Sequence, residues 1–195
     1  MGEDTEEKVF TFLEGKRIDL VTGPAKWADL ICKWLNDPKV RHYSRNPWPI
    51  SLDEVKKRFE SSSKISRFRE NTLFFIYHKQ DEKPIGSTGL EVINWLNKNA
   101  NIFIIIGDPE YWGHGLASEV AELVIQYGFE ELNLHKIYCG AFEPNERSLR
   151  VIEKLGFVKE RVSIHDQYFD GAYVDGHEFY LLKDDWMKRK QARET

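Results

Sequence analysis

The residues most able to do chemistry lie together at Tyr111-Trp112-Gly113-His114-Gly115-Leu116-Ala117-Ser118. Before them comes an apolar run, Ile102-Phe103-Ile104-Ile105-Ile106, closed by Gly107-Asp108-Pro109. After them Ala117, Val120, Ala121, Val124, Ile125, Gly128, Phe129 and Leu132 recur at steps of three and four. The first pattern predicts a strand buried on both faces, the second a helix packed on a sheet. The first turn of such a helix leaves its N–H groups unpaired and carries a partial positive charge, so an anion held there satisfies both. Gly113 and Gly115 would let the backbone amides approach a pyrophosphate. A plain strand-to-helix turn is the alternative reading of the same glycines. A dinucleotide fingerprint fits poorly, because Gly113-x-Gly115-x-x-Ser118 lacks the third glycine-like contact and no early βαβ unit surrounds it. That argues against a nicotinamide cofactor.

The elements that must position this turn can be read along the chain. Arg17-Ile18-Asp19-Leu20-Val21 alternates as a strand, and Gly23-Pro24 opens a helix carrying Trp27, Leu30, Ile31, Trp34 and Leu35. Asn36-Asp37-Pro38 ends it. An aromatic loop from Tyr43 to Pro49 leads to Ser51-Leu52-Asp53-Glu54, a capping box that starts a helix through Val55 and Phe59. Residues 72–78 and 85–93 read as an antiparallel strand pair, with a polar connection from Asn94 to Asn99 before the 102–106 strand. Beyond the long helix, 136–142 is a further strand. Pro144-Asn145 then opens a helix with Asn145 as N-cap, Leu149, Ile152 and Leu155 as its buried stripe and Gly156 as its stop. A terminal hairpin is expected from 161–169 and 178–182, with turn signals at Asp170-Gly171 and Asp175-Gly176.

Composition bounds the function. The 195 residues, 41% hydrophobic and 13% aromatic, suit one α/β domain over 1–195, with an acidic arm at 1–15 and a basic, solvated tail at 186–195. The formal net charge of -4 offers no broad basic face for nucleic acid. Cys32 and Cys139 stand alone on apolar patterns, and the histidines at 42, 78, 114, 135, 165 and 177 show no ligand spacing, so neither a disulfide nor a metal site is expected. The acidic start and the lack of a long apolar run predict a cytoplasmic protein with no membrane partner.

About thirty residues after the glycine turn come Asn145-Glu146-Arg147-Ser148 and Glu153-Lys154-Leu155-Gly156-Phe157. With these the chain resembles the GNAT N-acetyltransferase superfamily, in the branch holding ribosomal-protein N-terminal acetyltransferases (RimJ and RimL) and spermidine N-acetyltransferases. Trp112-Gly113-His114-Gly115-Leu116-Ala117 is similar to its [QR]-x-x-G-x-[GA] motif, with Trp in place of Gln or Arg. Asn145-x-x-Ser148 with Lys154-Leu155-Gly156-Phe157 is similar to the helix beside pantetheine, and Trp34-Leu35-Asn36-Asp37-Pro38 is a third ordered match.

The resemblance implies a single GNAT-like domain whose mixed, mostly antiparallel sheet splays around acetyl-CoA. In it Ile104, Ile105 and Ile106 would offer backbone groups to the pantetheine amides and the oxyanion, while Trp112, Gly113, His114, Gly115, Leu116, Ala117 and Ser118 hold the pyrophosphate. Asn145 would bond the pantetheine arm, a simple helix cap being the alternative, and Ser148 would reach the sulfur. Many members carry a tyrosine acid where this chain has Ile152. A thiol with a reference pKa of about 8.5 leaves with modest help, so Ser148 or a water can serve. The attacking amine must be neutral, which asks more of a base for lysine-like amines near 10.4 than for α-amines near 8. Glu91, Asp108 and Glu143 are the candidate bases. Glu119, in the first helical turn, is explained by the helix dipole. Arg41, His42, Tyr43, Arg45, Trp48, His165, Tyr168 and Tyr173 would wall the acceptor, or else cover a sheet edge or a dimer contact. The implied reaction is direct acetyl transfer to a primary amine, of a protein N-terminus or of a small polyamine or amino sugar, by a monomer or homodimer. The alternative is a degenerate acyl-CoA-binding sensor or scaffold.

Overall fold

The computed structural model describes residues 9–44, 47–63 and 69–194. Residues 1–8, most of the expected acidic arm, and Arg45 lie outside the described residues, as does the side chain of Phe59. The fold is α/β, with helices beside a mixed, mostly antiparallel sheet of eight strands. It comprises two compact units, Met1–Arg67 with Thr72–Thr88 and Ile104–Val120, and Phe68–Asn71 with Gly89–Phe103 and Ala121–Thr195.

In the first unit the strands follow the order β1 (Phe10–Glu14), β2 (Ile18–Thr22), β3 (Phe74–His78), β4 (Lys83–Asn94) and β5 (Asn99–Ile106), the last two continuing into the second unit. Ile18 pairs with His78 across β2 and β3, and Phe74 with Thr88 across β3 and β4. A 3-10 turn at Ala25–Trp27 leads into α1 (Ala28–Asn36). Its Ile31, Trp34 and Leu35 are buried with Val21, Val55 and Phe75, as the periodicity requires. Trp27 meets Phe75 edge to face at 5.0 Å. Asn36 then clamps the following loop at its far end: its Nδ2 donates to the Ile50 carbonyl at 2.7 Å and its Oδ1 accepts from Ile50 N at 3.0 Å. The capping box forms as expected at the start of α3 (Leu52–Ser63), with Glu54 accepting from Ser51 N at 2.8 Å and Ser51 Oγ accepting from Glu54 N at 3.3 Å.

Two expectations for this unit need correction. The arm contains a strand, β1, whose Phe10 and Phe12 are 63% and 50% exposed, so its alternation lacks a buried face to betray it. Pairing with β2 and stacking of Phe12 on Phe74 at 5.3 Å hold it. The 40–50 loop begins with a helix, α2 (Pro38–Ser44), because Pro38 suits a first helical position and the Asp37 carboxylate accepts from Lys39 N at 2.8 Å.

The second unit carries β4, β5, β6 (Lys136–Phe142), β8 (Ala172–Leu182) and β7 (Val158–Phe169), in that order. β5 and β6 are parallel, and the pairing covers only Asn99 to Asn101 opposite Lys136 to Tyr138. This brevity corrects the doubly buried strand: Ile102 is buried, but Ile104, Ile105 and Ile106 beyond the paired stretch are half-buried. α4 (Leu116–Gln126) ends in a π-helical turn, Tyr127–Glu131, that buries Phe129. Gly128 in that turn lies against the methyl ends of Ile137, Leu90 and Leu134, which an added Cβ would have to displace.

α5 (Glu146–Leu155) ends at Gly156 with φ +89°, as expected for a left-handed stop. Asp170 and Gly171, at φ +48° and +86°, make the hairpin turn between β7 and β8. Asp175-Gly176 makes no turn. It lies inside β8, where the Asp175 carboxylate accepts from His165 N at 2.8 Å across a break in the β7 register. The basic tail forms α6 (Lys183–Glu194), with Trp186 against Phe129 at 5.5 Å, Lys190 bonded to Glu130 at 2.6 Å and Arg193 to Glu122 at 3.1 Å, while Lys188 and Arg189 are exposed.

Candidate functional site

In the first unit, β5 gives way to the glycine turn through a tightly tied corner. Gly107 N and Asp108 N both donate to the Ile85 carbonyl, at 2.8 and 3.1 Å. The Asp108 carboxylate caps the short turn Pro109–Tyr111 by accepting from Glu110 N at 3.1 Å, and it pairs with Lys83 at 3.3 Å. Lys83 also lies 5.0 Å from the Tyr111 ring, whose hydroxyl donates to Asp81. That bond pushes the Tyr111 hydroxyl pKa up and holds the Asp81 carboxyl below its usual range. Asp108 is thus committed to the corner by a cation and an amide. Trp112, where the resembling motif has Gln or Arg, turns its indole back and donates from Nε1 to the Ile106 carbonyl at 2.8 Å. Its ring meets Tyr43 edge to face at 6.2 Å.

The turn itself is exposed from Gly113 to Gly115. Both glycines adopt left-handed φ, +83° and +74°, and a Cβ at Gly113 would meet nothing within 4 Å. Backbone conformation, not crowding, requires glycine here. Leu116 is buried and roots the first turn of α4, while Ala117 and Ser118 are half-buried beside it. The result is a bare run of backbone amides entering a helix, the chemistry that suits a phosphate.

Two residues on the β1–β2 hairpin, which the sequence reading missed, support this turn. Glu119 accepts from Lys16 N at 2.8 Å, Arg17 N at 2.7 Å and Arg17 Nε at 2.9 Å, and Arg17 Nη1 donates to the His114 carbonyl at 2.9 Å. Burial pushes the Glu119 carboxyl pKa up, but the bonds from Arg17 and the Ile18 amide outweigh it and hold the group below its ordinary value. The role expected of Glu119 with the helix dipole is therefore incomplete, since both its oxygens serve the hairpin. No local spacing could reveal this, because the partners are about a hundred positions apart.

In the second unit, Asn145 caps α5, its Oδ1 accepting from Ser148 N at 3.2 Å. The carbonyl side of the amide is used, and the Nδ2 donors are the ones a ligand carbonyl would engage. Ser148 is half-buried one turn into α5, and Ile152 is buried one turn further. Glu91 lies on β4, where its Oε1 accepts from Asn101 Nδ2 at 2.7 Å. Asn101 is the last β5 residue paired with β6, opposite Tyr138. Glu91 is thus held by a neutral donor at the point where the parallel pairing ends. Asn101 was missed in the sequence because it reads as an ordinary polar position before an apolar run. Glu143 is exposed at the end of β6. Cys139 on β6 is buried, and desolvation pushes its thiol pKa up to about 12.

The aromatic residues expected to form a wall belong to elements of both units, each described by itself. Arg41, His42 and Tyr43 are on α2, with His42 and Tyr43 in contact at 4.9 Å, and Trp48 is 76% exposed. His165 is on β7, and Tyr168 meets Tyr173 at 5.4 Å beside the hairpin turn. Among the described residues no three His, Cys, Asp or Glu side chains gather as metal ligands, and no helix is long and apolar enough to cross a membrane.

Comparison with known proteins gives this geometry a family. The model of the acetyltransferase (GNAT) domain matches residues 20–158. A spermidine N(1)-acetyltransferase of Vibrio cholerae is 31% identical over 141 residues, covering 72% of this chain and 79% of the relative. The uncharacterized N-acetyltransferase p20 of Bacillus licheniformis is 29% identical over 156 residues, covering 80% and 87%. Among solved structures, the spermidine N-acetyltransferase from Vibrio cholerae in complex with CoA and spermine aligns with a TM-score of 0.78 at 26% identity, covering 88% of this chain and 98% of that one. A dodecameric form of the Vibrio cholerae enzyme aligns with a TM-score of 0.75. Such relatives favour turnover over a silent acyl-CoA-binding module, and the chain belongs to the acetyltransferase (GNAT) family as an N-acetyltransferase.

Proposed function

We propose that this enzyme moves the acetyl group of acetyl-CoA directly onto a primary amine of a small polyamine-type acceptor. The observation that carries the reading is the three-residue limit of the β5–β6 pairing. β5 runs on past Asn101 through Ile104, Ile105 and Ile106 to the glycine turn; the Ile106 carbonyl is taken by Trp112 Nε1, and the other backbone groups of this stretch are the ones proposed for the pantetheine amides, with the amides of 113–118 for the pyrophosphate. Asn145 bonds the pantetheine arm through Nδ2.

Glu91 takes a proton from the acceptor ammonium, and the neutral nitrogen attacks the thioester carbonyl carbon. A backbone N–H of the 104–106 strand stabilises the oxyanion. As the C–S bond breaks, the proton still carried by the attacking nitrogen is relayed through the Ser148 hydroxyl or a water to the departing CoA thiolate, leaving the neutral amide and CoA thiol. A polyamine acceptor is supported by the spermidine substrates named for the relatives. It also accounts for an oriented carboxylate, since an amine near pKa 10.4 is almost fully protonated at neutral pH and requires a base.

Thiol release from acetyl-CoA, followed with spermidine, spermine, an amino sugar and a peptide with a free α-amine, tests the acceptor. Turnover with the polyamines is expected; turnover confined to the peptide would overturn this reading. Gly115→Glu tests the donor site. The new carboxylate would face the pyrophosphate on the same amides, and the left-handed φ adds strain of about 1–2 kcal/mol. Calorimetric titration should show CoA binding lost while the melting transition persists, and unchanged affinity would refute the site.

A further inference from the structure

The helix that is to receive the phosphates carries a competing anion of its own. Glu119 is in the first turn of α4, where a carboxylate is ordinarily drawn to the unpaired N-terminal amides. Here it is held elsewhere. Its Oε1 accepts from Lys16 N and Arg17 N, at 2.8 and 2.7 Å, and its Oε2 from Arg17 Nε at 2.9 Å. The same guanidinium reaches the opposite side of the turn: Nη1 donates to the His114 carbonyl at 2.9 Å, and Nη2 lies 4.0 Å from where a Cβ on Gly115 would be.

We infer that Arg17 is a positioning residue for the acyl donor: by holding Glu119 on the β1–β2 hairpin and the His114 carbonyl on its guanidinium, it keeps the α4 amides clear for the phosphates. The inference rests on the proposed placement of the CoA pyrophosphate at residues 113–118. One helix end offers its amides to one anion at a time. Without the guanidinium, Glu119 loses the charged part of its anchor and becomes an internal rival of the phosphates. His114 loses the bond that fixes the peptide between the two left-handed glycines.

The test is a double-mutant cycle in the full chain, with CoA affinity by titration, acetyl-CoA KM and kcat, and melting temperature. Arg17→Gln should weaken CoA binding and raise KM by about tenfold with kcat at saturation nearly unchanged. Glu119→Gln should bind CoA at least as well as the parent. The decisive variant is Arg17→Gln/Glu119→Gln, in which the rival charge is gone and affinity should return to within about threefold of the parent. If the double variant binds as weakly as Arg17→Gln, or more weakly, the guanidinium acts on the fold or on the phosphates directly and the inference is overturned. Arg17→Lys guards against a fold defect, since it keeps a cation near Glu119 and should lie between parent and Arg17→Gln in KM. Gly115→Glu separates the two claims: if it abolishes CoA binding while Arg17→Gln does nothing, this inference fails and the site stands; if neither changes affinity, the site itself fails.

Discussion

Gly86→Ala should be among the most damaging single-methyl changes in this chain. A Cβ on Gly86 would fall deep inside the Ile105 carbonyl oxygen and 3.0 Å from Ile106 Cα. Both are backbone atoms of β5, so no rotamer change relieves the clash; β4 and β5 must separate. The expected loss is about 3 kcal/mol, or roughly 10 °C in melting temperature for a chain of this length. Because the displaced backbone includes Ile105 and Ile106, acetyl-CoA turnover should fall further than the loss of folded protein explains. Gly140→Ala is the control. There the nearest atom to a new Cβ is the His177 carbonyl at 3.6 Å, an ordinary contact, and the change should stay within about 1 kcal/mol. Equal melting of Gly86→Ala and the parent would mean that β4 and β5 do not approach as described.

The second large effect concerns the base. Glu91→Gln preserves shape and a hydrogen-bonding group opposite Asn101 but cannot take a proton, so kcat with spermidine should drop about a hundredfold with little change in the acetyl-CoA KM. A peptide α-amine, already substantially neutral near pH 8, should lose several-fold less. Asn101→Ala removes the donor that orients the carboxylate and should cost about tenfold in kcat. An unchanged kcat in Glu91→Gln would move the base to Glu143, Asp108 or a water. Asp108 is the weaker candidate on chemical grounds, because each of its oxygens already accepts a bond, one from the Lys83 ammonium and one from the Glu110 amide.

What could be read from the chain depended on how local its cause was. Asn145 as a cap, Gly156 as a stop, the Ser51–Glu54 box and the Asp170-Gly171 turn each arise from backbone groups within four residues, and all are found in place. The left-handed glycines at 113 and 115 belong to the same class. Asp175-Gly176 shows the limit, because an Asp-Gly pair can also serve a register break when the opposite strand supplies a free amide at His165. Phe10 and Phe12 form an edge strand whose apolar side chains stay largely exposed, contrary to the pattern that betrays strands. Arg17 with Glu119, and Glu91 with Asn101, are matters of which segments fold beside each other. Residue type and spacing carry no record of that.

The buried thiol of Cys139 bears on the order of events in catalysis. With a pKa pushed up to about 12, it holds almost no thiolate at neutral pH and cannot take the acetyl group from the donor. Burial thus disfavours a double-displacement route through this cysteine, in keeping with the direct transfer proposed above, in which both substrates are on the enzyme together. Initial rates should accordingly give intersecting, not parallel, double-reciprocal lines. The same silence makes Cys139 a clock for unfolding, since an alkylating reagent reaches it only when β6 leaves the sheet.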